Sequence, residues 1–234
     1  MPTTIPDLHV QDHGFTLSNG TRISHQTGSI TKTPFTNLGF PVNMHELSAS
    51  ASTTLDPETQ RPVTFAGQFG LIDFDTTVRL PRHVHIAPPD SIETEKQRFV
   101  AERILVLNGV AMVELNGEVY VIPPRTLVTI APGVPHTWTA CPAGVSPASV
   151  MSPGKKDGAD QCVSEGRFLM VYEYAEETGF FPTRQTDTMK NVSKYVRAGD
   201  EELEGLRFPG LSKEQALESA WIVWGKDCKR FGKG

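Results

Sequence analysis

The chain has few cysteines and no long apolar stretch. Its 234 residues include three cysteines, Cys141, Cys162 and Cys228, which are widely spaced and form no Cys-x-x-Cys pair. This usage is typical of reduced thiols and excludes a dense disulfide framework. No apolar run approaches the length of a membrane span, and the residues after Met1 lack the basic and apolar segments of a secretory signal. We therefore expect a cytoplasmic protein that does not bind a membrane.

The sequence also lacks a concentrated basic region. The formal net charge is −5, and Lys and Arg are not interleaved with aromatic residues before the last few positions. A nucleic-acid-binding surface needs such a concentration of positive charge. We therefore expect a small-molecule substrate and no nucleic-acid partner.

Short strand-like segments separated by Gly and Pro dominate the middle of the chain. The turns are Asn108-Gly109 and Asn116-Gly117, which are favourable pairs for tight turns. The length suits one all-β domain. Many short strands of this kind predict a closed sheet or a jelly roll. The strands are predicted at 64–74, 78–85, 99–107, 110–115, 118–122, 127–130, 136–139 and 167–175.

The flanking segments differ from this strand-rich middle. We interpret residues 1–63 as an N-terminal arm with a hairpin around Asn19-Gly20, residues 64–175 as a barrel, and residues 176–234 as a helical C-terminal extension.

The expected C-terminal helix rests on two local patterns. Ser212-Lys213-Glu214-Gln215 has the composition of a capping box at a helix start. Downstream, Leu217, Trp221, Trp224 and Cys228 recur at the spacing of one helical face. The two patterns together predict one helix that continues past Trp224 and packs on the core.

Three of the seven histidines lie between His83 and His136, among the predicted strands. His83 and His85 are two residues apart, so both imidazoles point to one face of a strand. His136 follows a Pro/Gly corner at 131–135, and Glu102 opens another strand. Any one of these histidines alone would be interpreted as a core or surface residue. Together, three imidazoles and a carboxylate suit a divalent transition metal.

These residues resemble the two motifs of the cupin superfamily. The His-x-His pair, Glu102 and Gly109 are similar to the first motif, and Pro132-Gly133-Val134-Pro135-His136 is similar to the second. The resemblance covers residues 64–175.

The chain departs from the cupin pattern at several positions. Sixteen residues separate His85 from Glu102, which is a longer gap than the family usually has. We interpret the inserted segment 86–97 as a lid over a barrel mouth. In addition, Arg125 and Ala131 stand where the family has Gly and Pro, and Ala140 stands where it has Asn.

The resemblance implies a single-domain, RmlC-like, metal-binding cupin with a jelly-roll, or double-stranded β-helix, barrel. It implies one divalent ion held by His83, His85, Glu102 and His136, with Glu102 and His136 as catalytic residues. Fe(II) is favoured, and Mn, Ni, Co, Cu and Zn remain open. Trp138 lies on the same strand face as His136, and Tyr172 lies on the last predicted strand. We expect both to line the substrate pocket.

Cupins include oxygenases, decarboxylases, isomerases, epimerases and proteins that only bind a ligand, so the resemblance leaves the reaction open. The layout is similar to that of stand-alone cupins of fungal natural-product pathways, which implies secondary metabolism. The leading hypothesis is an Fe(II) dioxygenase acting on a small, partly apolar enol, phenol or carboxylic acid. The alternatives are a redox-neutral decarboxylase or lyase, an isomerase or cyclase, and a binding protein without activity. Because cupins commonly pair through their sheets, we expect a homodimer.

Overall fold

The computed structural model describes residues 3–4, 9–11, 13–32, 44–47, 65, 67–88, 97–153 and 162–232. Their strands, in chain order, are β1 Thr3–Thr4, β2 His9–Gln11, β3 Gly14–Thr16, β4 Arg22–His25, β5 Ile30–Lys32, β6 Met44–Glu46, β7 Phe69–Asp75, β8 His83–Ala87, β9 Arg98–Phe99, β10 Glu102–Gly109, β11 Ala111–Leu115, β12 Glu118–Ile122, β13 Thr126–Ile130, β14 His136–Ala140, β15 Arg167–Tyr174, β16 Gly179–Pro182, β17 Trp221–Trp224 and β18 Asp227–Arg230.

Helices are few and short in this part of the chain. The α-helices are α1 Pro147–Met151 and α2 Lys213–Ser219, and the 3₁₀-helices are Gln26–Gly28, Val192–Lys194 and Asp200–Leu206. None of the described helices is both long enough and apolar enough to cross a membrane.

Two large sheets form the body of the fold. The first has the order β1-β18-β17-β12-β11-β14-β8-β16, with β9 also paired to β8, and the second has the order β2-β3-β4-β13-β10-β15-β7. From β7 to β15 the chain crosses repeatedly between the sheets, and apart from the parallel pair β12–β17 the neighbours within each sheet are antiparallel. This alternation is the jelly-roll architecture, so the predicted all-β fold is confirmed.

The main core lies between the two sheets. Ile104 and Phe168 enter it from the second sheet, and Val113 and Trp138 enter it from the first. Each is at most 1% exposed. Burying a large apolar side chain of this kind contributes about 2–3 kcal/mol, which pins the two sheets together.

The two predicted turns have different outcomes. Asn116-Gly117 is a two-residue hairpin turn between β11 and β12, with φ of 52° and 77°, as predicted. The interpretation of Asn108-Gly109 as a hairpin turn is wrong, because β10 pairs with β13 and β15 whereas β11 pairs with β12 and β14. Gly109, with φ of 67°, is the corner at which the chain leaves one sheet for the other. A Cβ there would lie 2.1 Å from the carbonyl oxygen of Arg167, so only glycine fits.

The predicted strand at 99–107 is two strands in two sheets. Arg98–Phe99 pairs with β8 in the first sheet, and Glu102 then opens β10 in the second. The intervening Val100 and Ala101 are buried at 4% and 1% exposure. Because apolar residues run continuously through this crossing, alternation alone does not reveal the change of sheet.

The N-terminal hairpin is confirmed as β3 paired with β4. Beyond the hairpin, β4 also pairs with β13, and β17 at the other end of the chain pairs with β12. Strands from both flanking segments therefore complete the sheets, and the boundaries predicted after residues 63 and 175 remain predictions.

The prediction of one long C-terminal helix is wrong, although the predicted start of the helix is correct. Ser212 and Gln215 form the predicted capping box, with reciprocal bonds of 3.2 and 2.8 Å. Helix α2 nevertheless ends at Ser219, and β17 and β18 form a hairpin across Gly225-Lys226. Aromatic and β-branched residues dominate Trp221–Trp224, which favours a strand, and the glycine suits the first position of a two-residue turn. The helical spacing of the tryptophans is therefore coincidental.

Candidate metal centre

Three buried imidazoles converge at the end of the jelly roll where β10 begins. His83 and His85 project from one face of β8, and His136, the first residue of β14, pairs with His83. One ligand nitrogen from each of the three lies within 4.8 Å of the others, and the three side chains are 1–3% exposed. The structure thus brings together the three histidines that the sequence singled out.

The backbone fixes the orientation of each imidazole. The Nδ1 atoms of His83, His85 and His136 lie 2.8, 3.0 and 2.9 Å from carbonyl oxygens. Since a carbonyl only accepts, each Nδ1 carries the proton and donates it. The Nε2 atom of each neutral ring then offers a lone pair to the shared centre, which is the tautomer that a metal-ligating histidine needs. The accepting carbonyls belong to Pro81, Gly179 and Val134.

A tight corner delivers the third imidazole. Val134 N donates to the carbonyl of Ala131, and Gly133 adopts φ of 77°. A Cβ on Gly133 would lie 1.9 Å from the carbonyl oxygen of Met189. Glycine is therefore required here, and the corner turns His136 into the site with its Nδ1 already bonded to Val134.

Glu102 joins the imidazoles despite the insertion before it. Its Oε2 atom lies 3.0 Å from Nε2 of His136 and 3.5 Å from Nε2 of His85, and the residue is 4% exposed. The antiparallel pairing of Ala87 with Arg98 closes the insertion at its base. His85 and Glu102 are therefore close in space although sixteen residues separate them in the sequence. Most of the predicted lid at 86–97 lies outside the described residues.

The buried polar atoms of this cluster suit a cation. Nε2 of His85, Nε2 of His136 and Oε2 of Glu102 are buried and have no hydrogen-bond partner among the described residues. Burial, reinforced by His136 and His85, holds the pKa of His83 well below its ordinary value, so this ring is neutral at pH 7. A carboxylate facing imidazole lone pairs is stabilised only by a proton or a metal ion between them.

Two aromatic rings wall this centre. The Phe180 ring lies 4.7 Å from that of His83 and 5.2 Å from that of His85, and the Tyr174 ring lies 4.5 Å from that of His85. Burial and the adjacent Glu102 carboxylate raise the pKa of Tyr174, so its phenol stays protonated. Phe180 lies in β16, which pairs with β8 inside a segment predicted to be helical. No pattern in the sequence indicated its position.

The two residues predicted to line the pocket lie nearby in different surroundings. Trp138 is 1% exposed in the main core, and its indole Nε1 has no partner among the described residues. Tyr172 is partly buried, with its ring 5.2 Å from that of Tyr174. Their contact with a substrate stays a prediction.

The donor set fits a divalent transition metal. Three neutral nitrogens and one carboxylate oxygen meet in a buried position without thiolates. Each imidazole is oriented by the hydrogen bond from its Nδ1 to the backbone. Such a set accommodates iron, manganese, cobalt, nickel, copper or zinc. The cluster can therefore hold one metal ion, whose identity the ligands alone do not select.

Comparisons with known proteins give low similarities. No protein-family model matches the sequence, and no curated protein matches it. Among solved structures, a cupin 2 domain-containing protein from Halorhodospira halophila is 14% identical over 47% of this chain and 53% of its own, with a TM-score of 0.29. The chain thus spans about half the length of that protein. A 3′-monoepimerase from Streptomyces bikiniensis is 10% identical over 86% and 88% of the two chains, with a TM-score of 0.43.

Salicylate 1,2-dioxygenase from Pseudoaminobacter salicylatoxidans is 12% identical over 68% of this chain and 27% of its own, with a TM-score of 0.28. At these levels no activity transfers from these proteins. The order of strands in the two sheets and the convergence of His83, His85, Glu102 and His136 at one end of them are features of this chain itself. On these features, the chain has the cupin fold.

Proposed function

We propose that this chain is a metal-dependent enzyme, and specifically an Fe(II) dioxygenase that acts on a small, partly apolar enol, phenol or carboxylic acid. The observation that carries the proposal is the buried, oriented donor set of three imidazoles and one carboxylate, in which Nε2 of His85, Nε2 of His136 and Oε2 of Glu102 have no hydrogen-bond partner among the described residues. Bound Fe(II) would supply a centre able to hold an anionic substrate and to activate dioxygen. The expected role in secondary metabolism stays a prediction.

The side chains of the site suit such a reaction. The hydrogen bonds from Nδ1 to the backbone lock the imidazoles, so the ligands need no reorganisation when an ion binds. Glu102 is the one anionic donor that the described residues bring to the cluster, which leaves a net positive charge with a divalent ion and favours an anionic substrate. The ring of Tyr174 is buried against that of His85 and excludes water from that part of the cluster.

The test is oxygen dependence. Iron-loaded protein is assayed for oxygen uptake with a panel of small enols, phenols and carboxylic acids, and active compounds are then assayed under air and under nitrogen. We expect turnover to stop without oxygen and to be absent in His136→Ala. Undiminished anaerobic turnover would replace this proposal with a redox-neutral reaction.

One observation favours the redox-neutral alternative, a metal-dependent lyase or isomerase. The protonated Tyr174 phenol lies beside both Glu102 and His85. A neutral acid at this position can donate a proton to a substrate carbanion, and a nearby carboxylate can accept one. A protein that only binds a ligand would show neither reaction.

We propose in addition that the chain is a homodimer that pairs through the outer face of the second sheet. Leu71, Val171 and Leu105 are aligned across β7, β15 and β10, and Leu71 and Phe69 are 62% and 69% exposed. The ion pair of Arg103 with Glu173 flanks this apolar row. An apolar centre with a polar rim is typical of a surface that pairs with a second copy.

A further inference from the structure

A cavity lies at the opposite end of β10 from the metal centre. It has a volume of about 300 Å³, and its walls include His25, Asn108, Arg125, Cys162 and Trp224. Glu102 begins β10 and Asn108 lies six residues later, so the two sites are about 20 Å apart along the strand. This volume is at the lower end of the range for small-molecule sites. The cavity is therefore separate from the metal centre and large enough for a small ligand.

The charge of the cavity is positive. Arg125 is the one cationic side chain among its described lining residues, and none of those residues is acidic. Burial lowers the pKa of His25 to about 4, with a smaller contribution from Arg125, so that ring is neutral at pH 7. Burial also raises the pKa of the Cys162 thiol, and at Cys162 the influence of Arg125 exceeds that of the neighbouring Glu165. In a chain with a net charge of −5, a lining of this charge favours an anion over a cation.

Arg125 occupies a backbone position that does not suit it. Its φ is 59°, in the left-handed region that a side chain rarely adopts. The backbone is held there by bonds from Arg125 N to Val106 O, at 2.6 Å, and from Gln26 N to Arg125 O, at 3.1 Å. Glycine would be relaxed here, and non-glycine residues in such conformations cluster at functional sites.

The guanidinium of Arg125 is directed by a single described contact. Its Nη1 donates to Oε1 of Gln26 at 3.2 Å, and Gln26 also lines the cavity. A guanidinium has five N–H donors in a planar fork, so most of them are available to a carboxylate. Trp224 also lines the cavity, with its ring 4.6 Å from the His25 ring.

We propose that this cavity binds a small aromatic carboxylate, with the carboxylate on Arg125 and the ring against Trp224. The site is independent of the metal centre and of the reaction proposed there. Such a ligand requires paired N–H donors for its carboxylate and an aromatic surface for its ring.

The probe is 4-fluorobenzoate, monitored by fluorine NMR line broadening with the full-length, iron-loaded protein. Its neutral isostere 4-fluorobenzamide is the matched control ligand. We expect saturable binding of one equivalent of the acid and at least tenfold weaker binding of the amide, because a hydrogen bond to a charged group is worth about that factor. Equal binding of the two ligands, or no saturable binding of the acid, overturns the proposal.

Variants assign the binding to this cavity. Arg125→Gly relieves the backbone conformation and removes the cation, so it should fold and bind the acid at least tenfold more weakly, whereas Arg125→Lys should retain part of the affinity. Arg197→Gln, at an exposed arginine, is the matched control and should bind normally. Wild-type affinity in Arg125→Gly overturns the proposal. So does loss of binding in His136→Ala, because it would place the carboxylate on the metal.

Cys162 gives a second readout that does not depend on a variant. Cys141 and Cys228 are buried, whereas Cys162 is partly exposed in the cavity wall. Iodoacetamide labelling, measured by peptide mass spectrometry, should therefore favour Cys162. We expect 4-fluorobenzoate to slow this labelling and the amide to leave it unchanged. Equal labelling with and without the acid contradicts the assignment.

Discussion

Nε2 of His136 lies 3.0 Å from Oε2 of Glu102, and the Nδ1 proton of the same imidazole is donated to the carbonyl of Val134. Two lone-pair-bearing atoms thus face each other in a buried site. Such a pair is unfavourable in isolation and favourable around a cation. This geometry is the strongest structural support for a metal ion in the cluster.

Removal of His136 should abolish metal binding. The remaining histidines lie on one strand and would hold the ion from one side only, so we expect less than about one tenth of an equivalent of metal in His136→Ala. Elemental analysis of protein purified without chelator measures this. His9→Ala, at an exposed histidine, is the control and should keep a full equivalent. A full equivalent in His136→Ala would show that the ion binds elsewhere.

Glu102 should strengthen metal binding without being indispensable. In Glu102→Gln the anionic oxygen becomes a neutral amide of nearly the same shape, so we expect affinity to fall about tenfold or more while the fold is kept. A competition titration with a chromophoric chelator measures this affinity. Glu201→Gln, at an exposed carboxylate, should match the wild type. Unchanged affinity in Glu102→Gln would remove Glu102 from the ligand set.

The Tyr174→Phe variant distinguishes the proposed oxygen-dependent reaction from the redox-neutral alternative. An oxygen-dependent reaction does not require the Tyr174 proton, so we expect Tyr174→Phe to keep a full equivalent of metal and to lose less than about tenfold in kcat. A general acid contributes about 10²–10⁴-fold. A loss of that size, with metal content unchanged, would indicate proton transfer from Tyr174 and favour the lyase or isomerase.

Stability should fall in mild acid because of His25. Its Nδ1 accepts a hydrogen bond from the backbone N–H of Gly225 at 3.0 Å, which a proton on Nδ1 would break. The pKa of His25 is lowered from 6.5 to about 4 in the folded protein. Between these values the unfolded state binds more protons, so the free energy of unfolding decreases as the pH falls from 6.5 toward 4, by up to about 3 kcal/mol.

Denaturant titrations at several pH values measure this slope. His25→Gln retains an acceptor for Gly225 but cannot be protonated, so its pH dependence over the same interval should be flatter than that of the wild type. The prediction fails when the two proteins lose stability in parallel.

The proposed dimer should depend on the exposed row of the second sheet. Leu71→Lys places a charge on that face without disturbing the core, and we expect the mass measured by light scattering to fall from two chains to one. Val10→Lys, at an exposed apolar residue of β2, is the control and should leave the mass unchanged. A wild-type protein of one chain would refute the dimer.

The sequence alone predicted the parts of the site that depend on local geometry. His83 and His85 share a face because side chains alternate along a strand, and the corner before His136 is encoded by Pro132 and Gly133. Local geometry alone does not bring Glu102 to these histidines, since the gap before it gave no indication that β8 and β9 would pair.

Features that depend on the partner of a strand were not predictable in this way. Asn108-Gly109 has the composition of a hairpin turn, yet the strands on either side of it belong to different sheets. Phe180 reaches the imidazoles because β16 pairs with β8, and the hairpin of β17 and β18 replaces an apparent helix because β12 offers an edge. Local periodicity describes one segment and carries no information on its neighbour.

Because Ala87 pairs with Arg98, the length of the loop between them does not determine the position of the strand that follows it. His85 and Glu102 are held by strand pairing on either side of the insertion, so the number of residues between them does not set the distance between their side chains. Since closing a longer loop costs little additional entropy, this segment is free to vary in length and composition. A change in the length of this insertion would therefore leave His85 and Glu102 in register.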